Sequence, residues 1–120
     1  MKFLTCLLAA ATALCAADVS GKWSGTSEFV NRGGETRTIP VNLTLQQNGE
    51  QVTGTAGPSA EQQQQIQNGK FDGNQLTFEV SDGEGKAMVS LTLAGEALKG
   101  EAKYHREYGI ITIKISVERK

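Results

Sequence analysis

The stretch that decides the fold is IITIKISVE, residues 110–118, and KAMVSLTL at residues 86–93 follows the same rule. In both stretches apolar and polar residues alternate. Period-two alternation is typical of antiparallel strands that turn one face to a core and the other to water. In residues 110–118 the apolar face consists of Ile111, Ile113, Ile115 and Val117.

The same alternation extends outward from this region along the chain, with Gly- and Asn-containing turns between the segments. It predicts eight strands, at residues 19–30, 37–46, 51–56, 65–71, 75–80, 86–93, 97–105 and 110–118. Closing eight short strands on themselves leaves no unpaired edge strand. The pattern therefore favours an all-β, eight-stranded antiparallel up-and-down barrel. A two-sheet sandwich is the alternative.

The connections between the predicted strands alternate in length. Those at 47–50, 72–74 and 94–96 are tight, and those at 31–36, 57–64, 81–85 and 106–109 are longer. Alternate connections of a meander lie at opposite ends of the barrel. We therefore expect one end closed by hairpins and one open end rimmed by four loops.

Three local features modify this pattern. Ser59 and Gln62 have the spacing of a helix cap, so residues 59–65 form either one helical turn or a mobile loop. The apolar phase changes within the fourth strand, which predicts a bulge near Gly69. Pro40 has no N–H to donate, which predicts interrupted pairing in the second strand.

The first 17 residues differ from the rest of the chain. Lys2 is followed by a short apolar run and then by Cys15, Ala16 and Ala17, the pattern of a secretory signal peptide. The run is too short for a membrane span, which needs about 20 apolar residues. We expect residues 1–17 to be cleaved and residues 18–120 to form one exported domain, periplasmic or extracellular. A lipid anchor on Cys15 and a buried N-terminal helix are the alternatives.

Composition excludes several classes of function. Both cysteines precede Asp18, so the expected domain folds without a disulfide. Its charge is nearly balanced, and no basic stripe is present for nucleic acid or lipid head groups. His105 is the only histidine, and no Ser nucleophile or carboxylate pair accompanies it at a telling spacing. We expect no enzymatic activity, no metal site and no cofactor.

Gly21 and Trp23 open the first strand, and Arg119 ends the last. In a closed barrel these positions become neighbours, so the guanidinium can stack on the indole and plug the closed end. This Gly-x-Trp start with a late Arg resembles the calycin superfamily, which includes lipocalins, fatty-acid-binding proteins, avidins and a bacterial protease-inhibitor family. The chain most resembles small exported bacterial lipocalin-like proteins without an assigned function.

The resemblance implies a ligand-binding barrel, with two departures. Avidin-type sites need several tryptophans, and Trp23 is the only one here. The protease inhibitors use an N-terminal tail and a cysteine pair. Only three residues separate Ala17 from Gly21, and the expected domain has no cysteine.

Two functions therefore stay open. In the first, the barrel binds a small apolar ligand at its open end. Five residues lie near the open ends of their strands at positions whose side chains point inward, and we expect them to form the pocket walls: Phe29, Ile39, Val80, Tyr104 and Ile111. In the second, the barrel is packed and its loops contact a protein partner, as an inhibitor would. Tyr104, His105, Arg106 and Tyr108 form the densest polar-aromatic cluster on that rim. The sequence specifies no oligomeric state.

Overall fold

Alternating apolar residues form strands along the whole described chain. The computed structural model describes residues 18–31, 33–107 and 109–120, so the predicted leader and Tyr108 lie outside the described residues. In these ranges there are nine strands and no helix. The strands are β1 (Gly21–Val30), β2 (Thr36–Asn48), β3 (Gln51–Ser59), β4 (Gln62–Gln65), β5 (Gln67–Asp72), β6 (Gln75–Ser81), β7 (Gly85–Ala94), β8 (Ala97–Arg106) and β9 (Gly109–Arg119).

The sheet closes on itself, and every pair of neighbouring strands is antiparallel. β1 pairs with β9 from Glu28–Lys114 to Trp23–Arg119. β4 and β5 both pair with β3 and are separated only by Ile66, so together they occupy the place of the predicted fourth strand. The predicted eight-stranded up-and-down barrel is confirmed, and the sandwich alternative is wrong.

The closed end has the predicted tight hairpins. Two-residue turns at Gly49-Glu50, Gly73-Asn74 and Gly95-Glu96 join the strands there. Each turn begins with a glycine at positive φ, between 63° and 69°. A two-residue hairpin requires this left-handed conformation, which glycine adopts without steric cost.

At the open end the strands run further than predicted, so all four connections are shorter, and those at 60–61 and 107–108 have two residues like the closed-end hairpins. β3 continues to Ser59 and β4 starts at Gln62, which makes both the helical turn and the long loop at 57–64 wrong. The Ser59 hydroxyl accepts a hydrogen bond from the Gln62 N–H at 3.2 Å. The side-chain contact expected of a helix cap therefore closes a turn between two strands.

The two irregularities have different outcomes. The register between β5 and β6 shifts between Gln67 and Lys70, where Asn68 has a φ of 54°, so the bulge predicted near Gly69 is confirmed. Pro40 does not interrupt the pairing of β2 with β1, because it lies opposite Thr26 in an unbroken register. Successive residues of a strand point their backbone groups to alternate sides. The side of β2 that lacks an N–H at residue 40 faces β3, which begins to pair only at Asn42.

Packing is densest toward the closed end. Trp23, Leu76, Leu91, Leu98 and Val117 are fully buried, and all lie within four residues of a closed-end turn or on the strand ends beside it. Inward residues nearer the open end, such as Val80 and Ile113, are only partly buried. The lumen is therefore filled at one end and lined by partly exposed apolar side chains at the other.

Candidate functional site

The closed end is sealed by Trp23 and Arg119. The guanidinium carbon of Arg119 lies 4.4 Å from the centroid of the buried indole, so the contact expected from the sequence is present. Arg119 also donates hydrogen bonds of 2.7 Å to the backbone carbonyls of Ser20 and Asp18. The indole N–H donates to the carbonyl of Val19 at 2.9 Å. These bonds hold the segment before β1 across the barrel end, away from the open rim.

Three of the five predicted pocket walls lie in one row on adjacent strands. Val80 on β6 pairs with Ala87 on β7, Ala87 pairs with Tyr104 on β8, and Tyr104 pairs with Ile111 on β9. All four side chains are partly buried. They form a continuous inward apolar row near the open end.

The other two predicted walls lie on the β1–β2 hairpin. Phe29 pairs with Arg37, and Ile39 pairs with Ser27, whose hydroxyl donates to the Ile39 carbonyl at 3.2 Å. Phe29 is partly buried, whereas Ile39 is 39% exposed. The pairing of β3 with β2 stops at Asn42, so it does not extend to Ile39.

A gap separates β1 from β9 at the open end. Their pairing ends at Glu28–Lys114, although β1 continues to Val30 and β9 begins at Gly109. We call this gap the seam notch, and define it by Phe29 and Val30 on β1 and Ile110 to Thr112 on β9.

A pocket of about 870 Å³ opens on the seam notch. A second hollow of about 510 Å³ shares Phe29, Val30, Ile110 and Ile111 with it and adds outward residues such as Glu28 and Lys114. The same four residues border both hollows, so the two hollows adjoin each other at the notch. The pocket is lined by Phe29, Val30, Asn31, Gly33, Arg106, Gly109, Ile110 and Ile111. It therefore joins Phe29 with Ile111, but Ile39, Val80 and Tyr104 are not part of its lining.

Sequence reasoning missed Val30 and Ile110. They are 60% and 62% exposed and lie on either side of the seam notch. Their signal was present, because Phe29-Val30 and Ile110-Ile111 are apolar doublets that break the alternation. Since one residue of such a doublet must point outward from an alternating strand, it marks exposed apolar surface.

Tyr104, Asp82 and Arg106 form a polar cluster on the same rim. The Tyr104 hydroxyl lies 2.9 and 2.7 Å from the two carboxylate oxygens of Asp82 and donates to them. The Arg106 guanidinium lies 5.7 Å from the Tyr104 ring centroid. Asp82 also accepts from the backbone N–H groups of Glu84 and Gly85, both at 3.0 Å, which orders the β6–β7 turn.

The cluster shifts two pKa values. Partial burial and the bond to Asp82 raise the pKa of Tyr104 to about 12. Partial burial opposes the shift at Asp82, but the hydrogen bonds from Tyr104, Glu84 and Gly85 lower its pKa below the usual value. Tyr104 thus acts as a hydrogen-bond donor that ties β8 to the β6–β7 turn, with its ring at the edge of the lumen. His105, which neighbours it, is exposed.

Other chemistry is sparse in the part of the chain that the structure describes. Within it, no group of three or more His, Cys, Asp or Glu residues is placed to hold a metal ion. Among those same residues, no helix is long and apolar enough to cross a bilayer. No protein-family model and no curated protein sequence matches this chain.

Proposed function

We propose that the protein is an exported calycin-like barrel that binds a small, largely apolar ligand at its open end. The observation that carries the proposal is the seam-notch pocket of about 870 Å³ at the open end of the barrel. Pockets for small ligands usually have volumes of about 300–1,000 Å³, with apolar walls and few polar groups. Here Phe29, Val30, Ile110 and Ile111 supply apolar walls, and Asn31, Gly33, Arg106 and Gly109 make the rest of the lining polar.

The packing gradient supports this assignment. The largest side chains at the closed end, such as Trp23, Leu91 and Leu98, are fully buried, so they leave little apolar surface there for a ligand to cover. Inward apolar residues near the open end keep part of their surface exposed, and covering that surface is favourable by about 25 cal/mol per Å². A ligand at the open end would cover the apolar side-chain surface that remains exposed there. The role assigned is binding, with no catalytic step.

Export and the calycin-like assignment are part of the same proposal. They rest on the leader pattern of residues 1–17, on the closed barrel and on the Trp23–Arg119 contact. The intact mass of the exported protein tests the leader, since cleavage after Ala17 gives a chain that starts at Asp18.

The binding test is a titration with anilinonaphthalene sulfonate, a dye that fluoresces in apolar sites, together with native mass spectrometry of the purified protein. Ile111→Asp places a charge in the pocket and should weaken dye binding about tenfold or more. Leu93→Ala, near the closed end, should lower stability and leave dye affinity within about twofold. Equal affinity for all three proteins, or no dye binding and a clean apo mass, would reject the proposal and favour a packed barrel that contacts a protein partner.

A further inference from the structure

The backbone edges of the seam notch can be assigned from the hydrogen bonds at the end of β9. The N–H of Arg119 donates to Glu96 on the β8 side, and the N–H of Lys120 donates to Lys22 on the β1 side. Backbone groups of successive strand residues point to alternate sides. The backbone N–H and C=O of Ile110 and Thr112 therefore face the notch.

The opposite edge follows from the same rule. The N–H of Asn31 donates to the carbonyl of Glu35 across the β1–β2 connection, so the backbone groups of Val30 face β9. In a continued register Val30 would pair with Thr112, but the pairing stops at Glu28–Lys114. Among the described residues, neither Val30 nor Thr112 has a backbone partner across the notch.

A second open edge at the same end is blocked. β2 extends beyond β3, and Pro40 lies on that extension with its missing N–H on the uncovered side. Proline on an exposed edge prevents the addition of another strand. The seam notch carries no proline in its described residues, and apolar side chains flank it. One edge is therefore protected against strand addition, while the other remains competent for it.

We propose that the ligand of the open end is an extended polypeptide segment that adds to β9 in the seam notch. This inference rests on the proposed function, because it names the chemical class of ligand for the same pocket. Strand addition uses main-chain hydrogen bonds for affinity and alternate side-chain pockets for specificity. Four residues of extended chain span about 14 Å, which matches residues 110–113 of β9.

The side-chain environment defines the segment further. On one face its side chains enter the pocket beside Phe29 and Ile111, and on the other they lie against Val30 and Ile110. The inner face therefore selects apolar residues, whereas the outer face, which also borders Glu28, Thr112 and Lys114, accepts residues such as threonine. Arg106 is the one charged residue lining the pocket among the described residues, and it lies next to Gly109 in the register, at the outer end of the notch. A carboxylate at that end of the segment complements it.

The test uses the full chain and a fluorescent hexapeptide, acetylated and amidated, with the sequence Glu-Val-Thr-Ile-Thr-Val. Anisotropy measures its affinity, and singly N-methylated versions remove one N–H each. Strand addition to β9 predicts that methylation at every second position weakens binding about tenfold or more. Methylation at the intervening positions should change it less than about threefold.

Two proline variants test the edge from the side of the protein. Thr112→Pro removes the N–H that faces the notch and leaves those of Ile111 and Ile113, which face β8. It should weaken peptide binding about tenfold. Thr38→Pro, on the uncovered edge of β2, is the matched control and should leave peptide affinity unchanged. Circular dichroism checks that both variants fold. If Thr112→Pro does not fold, the N-methylated peptides test strand addition on the unchanged protein.

The outcomes separate the two proposals. Dye binding that depends on Ile111, combined with no peptide binding, overturns strand addition and leaves the apolar pocket standing. Peptide binding that tolerates methylation at every position, or that falls equally in Thr112→Pro and Thr38→Pro, also overturns it. Absence of both dye and peptide binding rejects the pocket as well.

Discussion

Arg119 interacts with four groups around the closed end of the barrel. Its guanidinium stacks on Trp23, donates to two backbone carbonyls of the segment before β1, and pairs with Glu96 through a 2.7 Å bond from Nε. Glu96 is largely exposed, so the ion pair itself contributes little. The stacking and the two backbone bonds are what join the first and last strands at the closed end.

Arg119→Ala should lower the free energy of unfolding by roughly 1–2 kcal/mol, because stacking and packing are both lost. Urea denaturation followed by Trp23 fluorescence measures the change. Glu96→Ala is the control and should cost less than about 1 kcal/mol, as exposed ion pairs do. If both variants lose the same stability, the salt bridge and not the stacking closes the barrel.

The bond between Tyr104 and Asp82 predicts a pH dependence. The pKa of Tyr104 is raised to about 12, so its contribution to stability is complete below its unfolded value near 10 and is lost as pH rises through 12. Asp82 has a lowered pKa, so its contribution is present above the unfolded value and is lost as pH falls through the folded value.

The measurement is an alkaline titration of tyrosinate absorbance in a Tyr108→Phe background, which leaves Tyr104 as the only tyrosine. The midpoint should lie near 12, and Asp82→Asn should move it toward the ordinary tyrosine value. A midpoint near 10 before the Asp82 change would show that the two side chains do not interact in solution.

At the scale of elements, the seam between β1 and β9 is tight at one end and open at the other. Near the closed end a Cβ at Gly25 would overlap the carbonyl oxygen of Ser116 and lie 2.6 Å from the Cα of Val117. Only glycine permits this close approach. Beyond Lys114 the strands separate and the seam notch begins. The same pair of strands thus provides both the closure and the proposed binding edge.

Gly25→Ala should destabilise the barrel by about 1–3 kcal/mol, the usual cost of overpacking, because backbone and not a flexible side chain opposes the new methyl group. Gly33→Ala is the matched control. Its Cβ would lie 3.5 Å from Asn31 Oδ1, an ordinary contact, and should change stability by less than about 0.5 kcal/mol. Thermal unfolding of the three proteins compares them. A neutral Gly25→Ala would mean that the seam relaxes easily at its closed end.

At the scale of the whole molecule, the barrel has a closely packed half at the closed end and a more exposed, incompletely paired half at the open end. The packed half has tight hairpins, fully buried side chains and the Trp23–Arg119 plug. The other half has partly exposed inward side chains, a strand edge blocked by Pro40 and a strand edge without such protection. A rigid base with an open rim is a common arrangement for binding, since stability and recognition are then located in different parts of the fold.

Local patterns in the sequence were sufficient for the architecture. Strict alternation at residues 111–118 and the glycine turns dictate strands and hairpins, because side-chain direction and positive φ are properties of one or two residues. Even the bulge near Gly69 follows from a local change of phase. The contact between Trp23 and Arg119 also follows, once the first and last strands of a closed sheet become neighbours.

The candidate site depended on tertiary structure, because it lies where two neighbouring strands stop pairing. Where β9 stops pairing with β1, and which side of β2 lies uncovered at Pro40, depend on how far each strand extends beside its neighbour. Those lengths are set by the curvature and stagger of the closed barrel, which no single segment encodes. The sequence therefore determined the barrel and the inward direction of Phe29 and Ile111, and only the closed sheet placed the gap between them.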